Sequence, residues 1–197
     1  MKRLLTSLAM AALVAVALAG CDKPAARASF DNTDVTGLDY ARNFALNDFD
    51  GKPRTLADYK GKVVLVFFGY TQCPDVCPTT MAEMANVMKQ LGPQADKVQV
   101  LFITLDPERD KPDLLKSYVP AFDPRFVGLY GTPEQTAATA KEFKVFYTRV
   151  QGSAPDNYSI DHTAGTYVFD RDGKLRLFVR HGQGPAPLVH DIKQLLS

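Results

Sequence analysis

The sequence predicts an α/β domain, with a mixed central sheet flanked by helices and extra strands at the N-terminal end. Three observations carry this. Strand-like and helix-like segments alternate along the chain. Two of the strand-like runs, "VVLVFFGY" (63–70) and "VQVLFITLD" (98–106), are continuous and apolar, as expected of strands buried on both faces. Near the end, "GTYVFDRDGKLRLFVRHG" alternates about an Asp172-Gly173 pair and reads as a β-hairpin, which makes the sheet mixed.

The chain has 197 residues, and residues 1–20 read as an export signal. Met1-Lys2-Arg3 is a positive start, and the apolar run after it is too short for a membrane span. The run closes in "LAGC", which resembles a bacterial lipoprotein cleavage site. Cys21 is then a lipid attachment point and the first mature residue, and Asp22 resembles a signal for retention in the inner membrane. Residues 21–40 are polar and without period, a tether whose last residues can enter the fold. Fully extended, positions 22–40 would reach at most about 65 Å from the membrane. Without Lys2 and Arg3 the chain carries 21 Lys+Arg against 22 Asp+Glu, and this balance gives no argument for nucleic acid. The remainder, 41–197, has the size of one ordinary domain.

Within it, "FALNDFDGKPRTLADYKGK" holds a short strand, an Asp50-Gly51 turn and a helical turn near Leu56 to Tyr59. The central strand 63–70 follows. A helix then opens at Pro78, where a missing N–H costs nothing, or two residues later on the capping-box spacing of Thr80 and Glu83; it ends near Gly92. After the second buried strand come helices over 112–118 and 133–143, with "FVGLYG" between them as a short strand. The hairpin and a helix over 187–196 close the chain. A buried strand running into a cysteine pair at a helix N-terminus, followed by a late hairpin and a final helix, is the thioredoxin plan.

That pair is Cys73 and Cys77, in "CPDVC". With Cys21 set aside, they are the remaining cysteines of an exported domain. A disulfide across so short a loop adds little stability, so a structural staple is the weakest reading. Disulfide exchange and metal binding both gain from a helix N-terminus, whose free N–H groups and partial positive charge are expected to lower a thiol pKa. The third intervening residue loosens the ring joining the sulfurs, so both can face one external atom. His162, in "SIDHTAGTYVF", precedes the strand that begins near Gly165. In the thioredoxin plan the loop entering that strand faces the cysteines and carries a proline, yet no proline lies between Pro155 and Pro185 here. His162 is therefore a candidate third ligand. Two thiolates and an imidazole form a soft set. Three ligands suit trigonal Cu(I), and Cu(II) would take a further one. Asp75 caps or turns the cysteine loop, and Asp106, at the end of the second buried strand, shapes the site or caps; both are candidates for a supporting role. Met81, Met84 and Met88 share one helix face and read as core, while His181 and His190 read as surface residues.

"GYTQCPDVCPTTM", "FITLDPERD" and "DHTAGTYVFD" resemble the three signature blocks of the Sco family, also called SenC, in order and approximate spacing. The resemblance runs from about Phe44 to the C-terminus. It implies a membrane-anchored copper protein of thioredoxin-like fold that binds Cu(I) or Cu(II) through Cys73, Cys77 and His162. The role it implies is assistance in building the binuclear copper centre of cytochrome c oxidase. Partners would be the copper-bearing subunit of that oxidase, together with other periplasmic copper chaperones or thiol reductants. Copper delivery makes the protein a metallochaperone. The alternative is a thiol–disulfide oxidoreductase that uses Cys73 and Cys77 as a redox pair, to reduce the target's cysteines or to sense redox state. A lipid on Cys21 would take the place of the transmembrane helix seen in many members, holding the protein on the periplasmic face of the inner membrane.

Overall fold

The structure is a computed structural model and describes residues 29–154 and 157–197. The export signal, Cys21 and the first part of the tether lie outside the described residues. In chain order the elements are β1 (Thr33–Asp34), β2 (Leu46–Asp48), β3 (Pro53–Arg54), a 3-10 turn at Leu56–Tyr59, β4 (Val63–Gly69), α1 (Val76–Leu91) and β5 (Val98–Thr104). Then follow α2 (Pro112–Tyr118), β6 (Val127–Tyr130), α3 (Pro133–Glu142), β7 (Tyr147–Gln151), β8 (Tyr158–His162), β9 (Gly165–Phe169), β10 (Leu175–Arg180) and α4 (Pro185–Leu196).

Among the described residues, the main sheet has the order β1-β10-β9-β4-β5-β6-β2-β3. Strands β4, β5 and β6 are parallel, and β9 joins β4 antiparallel. The sheet is mixed, as the hairpin implied. Every residue of β4 and β5 is buried, which is why both runs are apolar without alternation. On one face, Phe67 and Phe102 adjoin, and Tyr118 at the end of α2 packs on Phe102 with its ring tilted by 59°. Helices α1 and α4 pack together on this side, with Met84, Val87 and Leu188 facing Phe67 and Val179 around a small cavity. On the other face, Phe143 after α3 meets Phe68, Tyr167 and Phe169 edge to face. Rings buried in this way each contribute about 2–3 kcal/mol by removal from water. Met81, Met84 and Met88 are at most 2% exposed and belong to this core. Among the described residues no helix is long and apolar enough to cross a membrane.

Four local features differ from the sequence reading. Helix α1 begins at Val76, not Pro78, so Cys77 lies inside its first turn. The capping-box spacing of Thr80 and Glu83 is not used, because Thr80 is already helical and its Oγ1 meets His181 Nδ1 at 2.9 Å. Helix α4 begins at Pro185 rather than Pro187; a first turn accepts proline, since its N–H groups have no intrahelical partner. The fold also starts before position 41. Thr33 and Asp34 pair with Phe178 and Leu177 at the sheet edge.

Asp191 explains this last difference. It is fully buried, and its carboxylate accepts hydrogen bonds from the backbone N–H of Asp31 (2.8 Å) and of Asn32 (2.9 Å), and from Asn32 Nδ2 (2.8 Å). The C-terminal helix thus clasps the segment where the tether meets the domain. Replacing Asp191 by alanine strands these donors and is expected to cost about 2 kcal/mol of stability. Chemical denaturation of the variant checks this. A change within a few tenths of a kcal/mol would mean the clasp is decorative.

Candidate metal centre

Strand β4 ends at Gly69, and the cysteine loop leaves the sheet there. The position admits no side chain: a Cβ on Gly69 would stand 2.9 Å from Cys77 Sγ and 3.0 Å from the Phe102 ring. The neighbouring strand β5 feeds the Leu105–Asp110 turn, joined to the first by the Leu105 N–H donating to Gly69 O at 2.8 Å. Asp110, 1% exposed, accepts from Thr71 N–H (3.0 Å), Thr71 Oγ1 (2.5 Å) and Thr104 Oγ1 (2.6 Å), and so holds the start of the cysteine loop. Its burial pushes its carboxyl pKa up, partly offset by the hydroxyl and N–H donors.

Cys73 and Cys77 stand as free thiols. The N–H of Cys77, at the start of α1, donates to Cys73 Sγ at 3.4 Å. Cys77 Sγ lies 3.8 Å from His162 Nε2. The other ring nitrogen of His162 is 3.0 Å from the carbonyl of Thr163. A carbonyl only accepts, so Nδ1 carries the proton and the Nε2 lone pair faces the sulfur. Burial lowers the His162 pKa, opposed by the Thr163 carbonyl, and favours the neutral ring that ligates metals. Phe67 and Tyr70 meet the imidazole edge to face, with ring centroids 6.3 and 6.4 Å away.

Two of the three candidate donors, Cys77 Sγ and His162 Nε2, stand at a separation that one metal ion spans. The three donor atoms do not all lie within 4.8 Å of one another, so Cys73 Sγ has to move inward to complete a three-ligand site. Bonds of about 2.3 Å to sulfur and about 2.0 Å to nitrogen, at about 120°, put the two atoms about 3.7 Å apart. The Cys77–His162 separation of 3.8 Å matches this.

The structure corrects one expectation about the thiols. A helix N-terminus is expected to make a thiol more acidic, yet Cys77 is 0% exposed, and burial pushes its pKa up far above the ordinary thiol value, against a backbone donor at Tyr70. Desolvation outweighs the helix end here. Cys73 is partly exposed. In the reduced, metal-free protein Cys73 should therefore alkylate well before Cys77, since each unit of upward shift removes about tenfold of thiolate. Mass spectrometry of a brief iodoacetamide reaction at pH 8 checks this; equal labelling of both sulfurs would contradict it.

His162 ends β8 rather than lying in a loop, and β8 pairs with β7 in a separate hairpin, Tyr147 opposite His162 and Gln151 opposite Tyr158. Asp106 is buried and caps nothing helical. It accepts from Arg109 Nε and, at 2.8 Å, from the Tyr158 hydroxyl. Burial and this carboxylate push the Tyr158 phenol up to about 12. Asp75 is exposed at the N-cap position of α1, and its side chain makes no capping bond. His181 and His190 are both exposed. His181 contacts Thr80, and His190 sits between Asp31 and Asp191, away from the three site residues in these contacts. Sequence reasoning missed Arg109, Asp110 and Tyr158. The density of charge in "DPERD", directly after a buried strand, was the available signal for the first two.

The sequence profile of the SCO1/SenC family matches residues 33–197. The chain belongs to this family. It is 39% identical over 164 residues to a SCO2-like protein of Rickettsia felis, covering 83% of this chain and 78% of that one. The fold is similar to that of Bradyrhizobium japonicum ScoI with copper bound, with a TM-score of 0.72 at 41% identity, over 78% of this chain and 98% of that one. It is likewise similar to apo Sco1 from Thermus thermophilus, with a TM-score of 0.77 at 40% identity, over 87% and 99%. The thioredoxin-like architecture read from the element order is thus the family's own.

Proposed function

We propose that this SCO1/SenC protein is a copper metallochaperone that assists assembly of the binuclear copper centre of cytochrome c oxidase. Its copper cargo is held by Cys73, Cys77 and His162. The observation that carries this reading is the approach of His162 Nε2 to Cys77 Sγ, 3.8 Å apart with the ring tautomer fixed by the Thr163 carbonyl. The copper-bound ScoI relative supports the choice of metal, and the family resemblance supplies the oxidase.

The residues divide the work. Cys77 is the buried, fixed sulfur. Cys73, partly exposed, is the one a partner can reach, so transfer proceeds by ligand exchange: an incoming thiolate replaces Cys73 first, then the deeper donors. The high Cys77 pKa means its proton must leave when metal arrives, so binding releases protons and strengthens as pH rises. Two thiolates with Cu(I) carry one net negative charge, which the N–H groups at the start of α1 stabilise.

The partial exposure of Cys73 also favours a second reading, a thiol–disulfide oxidoreductase or redox sensor. There the Cys73 thiolate attacks a partner disulfide and expels one partner thiolate. Cys77 then attacks Cys73 and expels the second, leaving a Cys73–Cys77 disulfide and a partner reduced by two electrons. Deep burial makes Cys77 a slow resolving thiol, which weighs toward the chaperone.

Export, lipidation of Cys21 and residence on the periplasmic face of the inner membrane complete the reading, on the strength of the "LAGC" signal. Copper titration of the reduced and the oxidised protein tests it. One equivalent of Cu(I) should bind tightly to the reduced form and weakly to the oxidised one. Binding that survives both Cys73→Ser and His162→Ala would overturn the assignment.

A further inference from the structure

His162 is the one candidate ligand that does not come from the cysteine loop or α1, and the hairpin that carries it has little core of its own. Strand β7 is exposed along its whole length, and in β8 only Tyr158 and Ile160 are buried. Something must hold this arm over the cysteines. Arg109 touches both sides. Its Nη1 donates to Gln72 Oε1 (3.1 Å), next to Cys73, and to the Tyr158 carbonyl (2.9 Å), at the far end of β8 from His162. Its guanidinium lies over the Tyr158 ring, 3.4 Å from the centroid, and Arg149 lies over the same ring at 3.9 Å. Asp106 fixes the arrangement by accepting from Arg109 Nε and from the Tyr158 hydroxyl.

We propose that Arg109 is a positioning residue: it ties the β7–β8 hairpin to the cysteine loop and so sets the approach of His162 to Cys77. The inference rests on the reading of His162 as a copper ligand. Stability alone is a poor reason for this residue. A buried ion pair is weak evidence of stabilisation, and Arg109 Nη2 is buried without a hydrogen-bond partner among the described residues, which costs free energy. The fork does what a fork is suited to do, holding two elements at a fixed angle. Strand β8 spans about 13 Å from Tyr158 to His162, so tilting it at one end displaces the imidazole at the other.

Arg109→Gln should lower Cu(I) affinity about tenfold, the size typical when a group orienting a ligand is lost. In a His162→Ala background the same change should cost less than about twofold. In the metal-free protein, amide hydrogen exchange should quicken across residues 158–163 and stay unchanged in β4 and α1. An equal affinity loss in both backgrounds, or unchanged exchange in the hairpin, overturns the proposal. If Arg109→Gln does not fold, Arg109→Lys keeps the charge, removes the fork and is read the same way. If His162→Ala alone leaves Cu(I) affinity intact, the ligand reading fails, and hairpin exchange then decides the role of Arg109 by itself.

Discussion

Serine at position 77 is expected to lower Cu(I) affinity by about two orders of magnitude while the domain stays folded. Soft metals select thiolate sulfur, and a hydroxyl is a poor replacement for it. For scale, a four-ligand structural zinc site binds with about 10–16 kcal/mol, or about 3 kcal/mol per ligand, which is about a hundredfold in affinity. Cys77 is fully buried beside Gly69, whose missing side chain leaves room for the sulfur, so the sulfur is held in place whether or not metal is present. The smaller serine fits the same space, and the fold should lose only about 1–3 kcal/mol for a buried, poorly partnered hydroxyl. Cys73→Ser should cost similar affinity and less stability, because Cys73 is partly exposed. Competition with a chromophoric Cu(I) chelator and a thermal melt of each variant measure the two effects separately. Full copper binding by Cys77→Ser would remove the deepest sulfur from the site.

His162→Ala is the second large effect, and it separates the two proposed activities. The variant should lose about a hundredfold in Cu(I) affinity on the same per-ligand scale. It should keep its thiol chemistry, since neither sulfur is altered. The fold loses one hydrogen bond to Thr163 and two edge-to-face ring contacts, a cost of about 2–3 kcal/mol. A chaperone so altered fails in copper loading and in oxidase assembly together. A reductase so altered continues to reduce its target. Cells carrying His162→Ala with normal oxidase activity would therefore move the reading to the reductase, and the purified variant's rate of disulfide exchange would show the activity directly.

How much of this was legible in the sequence varied with burial. Strands β4 and β5 were plain, because burial on both faces demands an unbroken apolar run. The β9–β10 hairpin was plain because Gly173, at a φ of 78°, sits where an L residue is strained, and the turn announces itself as Asp-Gly. The β7–β8 hairpin was not read. Every residue of "YTRVQ" is exposed, so no alternation marks it, and "YSIDH" alternates over only two buried positions, too few to stand out. Cys73, Cys77 and His162 could be singled out as candidates, since cysteine and histidine are scarce here and their placement in the plan is restrictive. Their supports were not. Arg109 and Asp110 resemble a solvated turn, and their partners lie far along the chain: Thr71 for Asp110, Tyr158 for Arg109. The clasp of Asn32 by Asp191 joins the two ends of the domain and leaves no local pattern at all.

The central claim is that one copper ion sits between two sulfurs and one imidazole. X-ray absorption on the Cu(I)-loaded, reduced protein tests it most directly, because it counts sulfur and nitrogen neighbours of the metal. The expected first shell is two sulfurs and one nitrogen, with the nitrogen and its imidazole scattering lost in His162→Ala. A shell of two sulfurs unchanged by that substitution, or one with a single sulfur, would contradict the site.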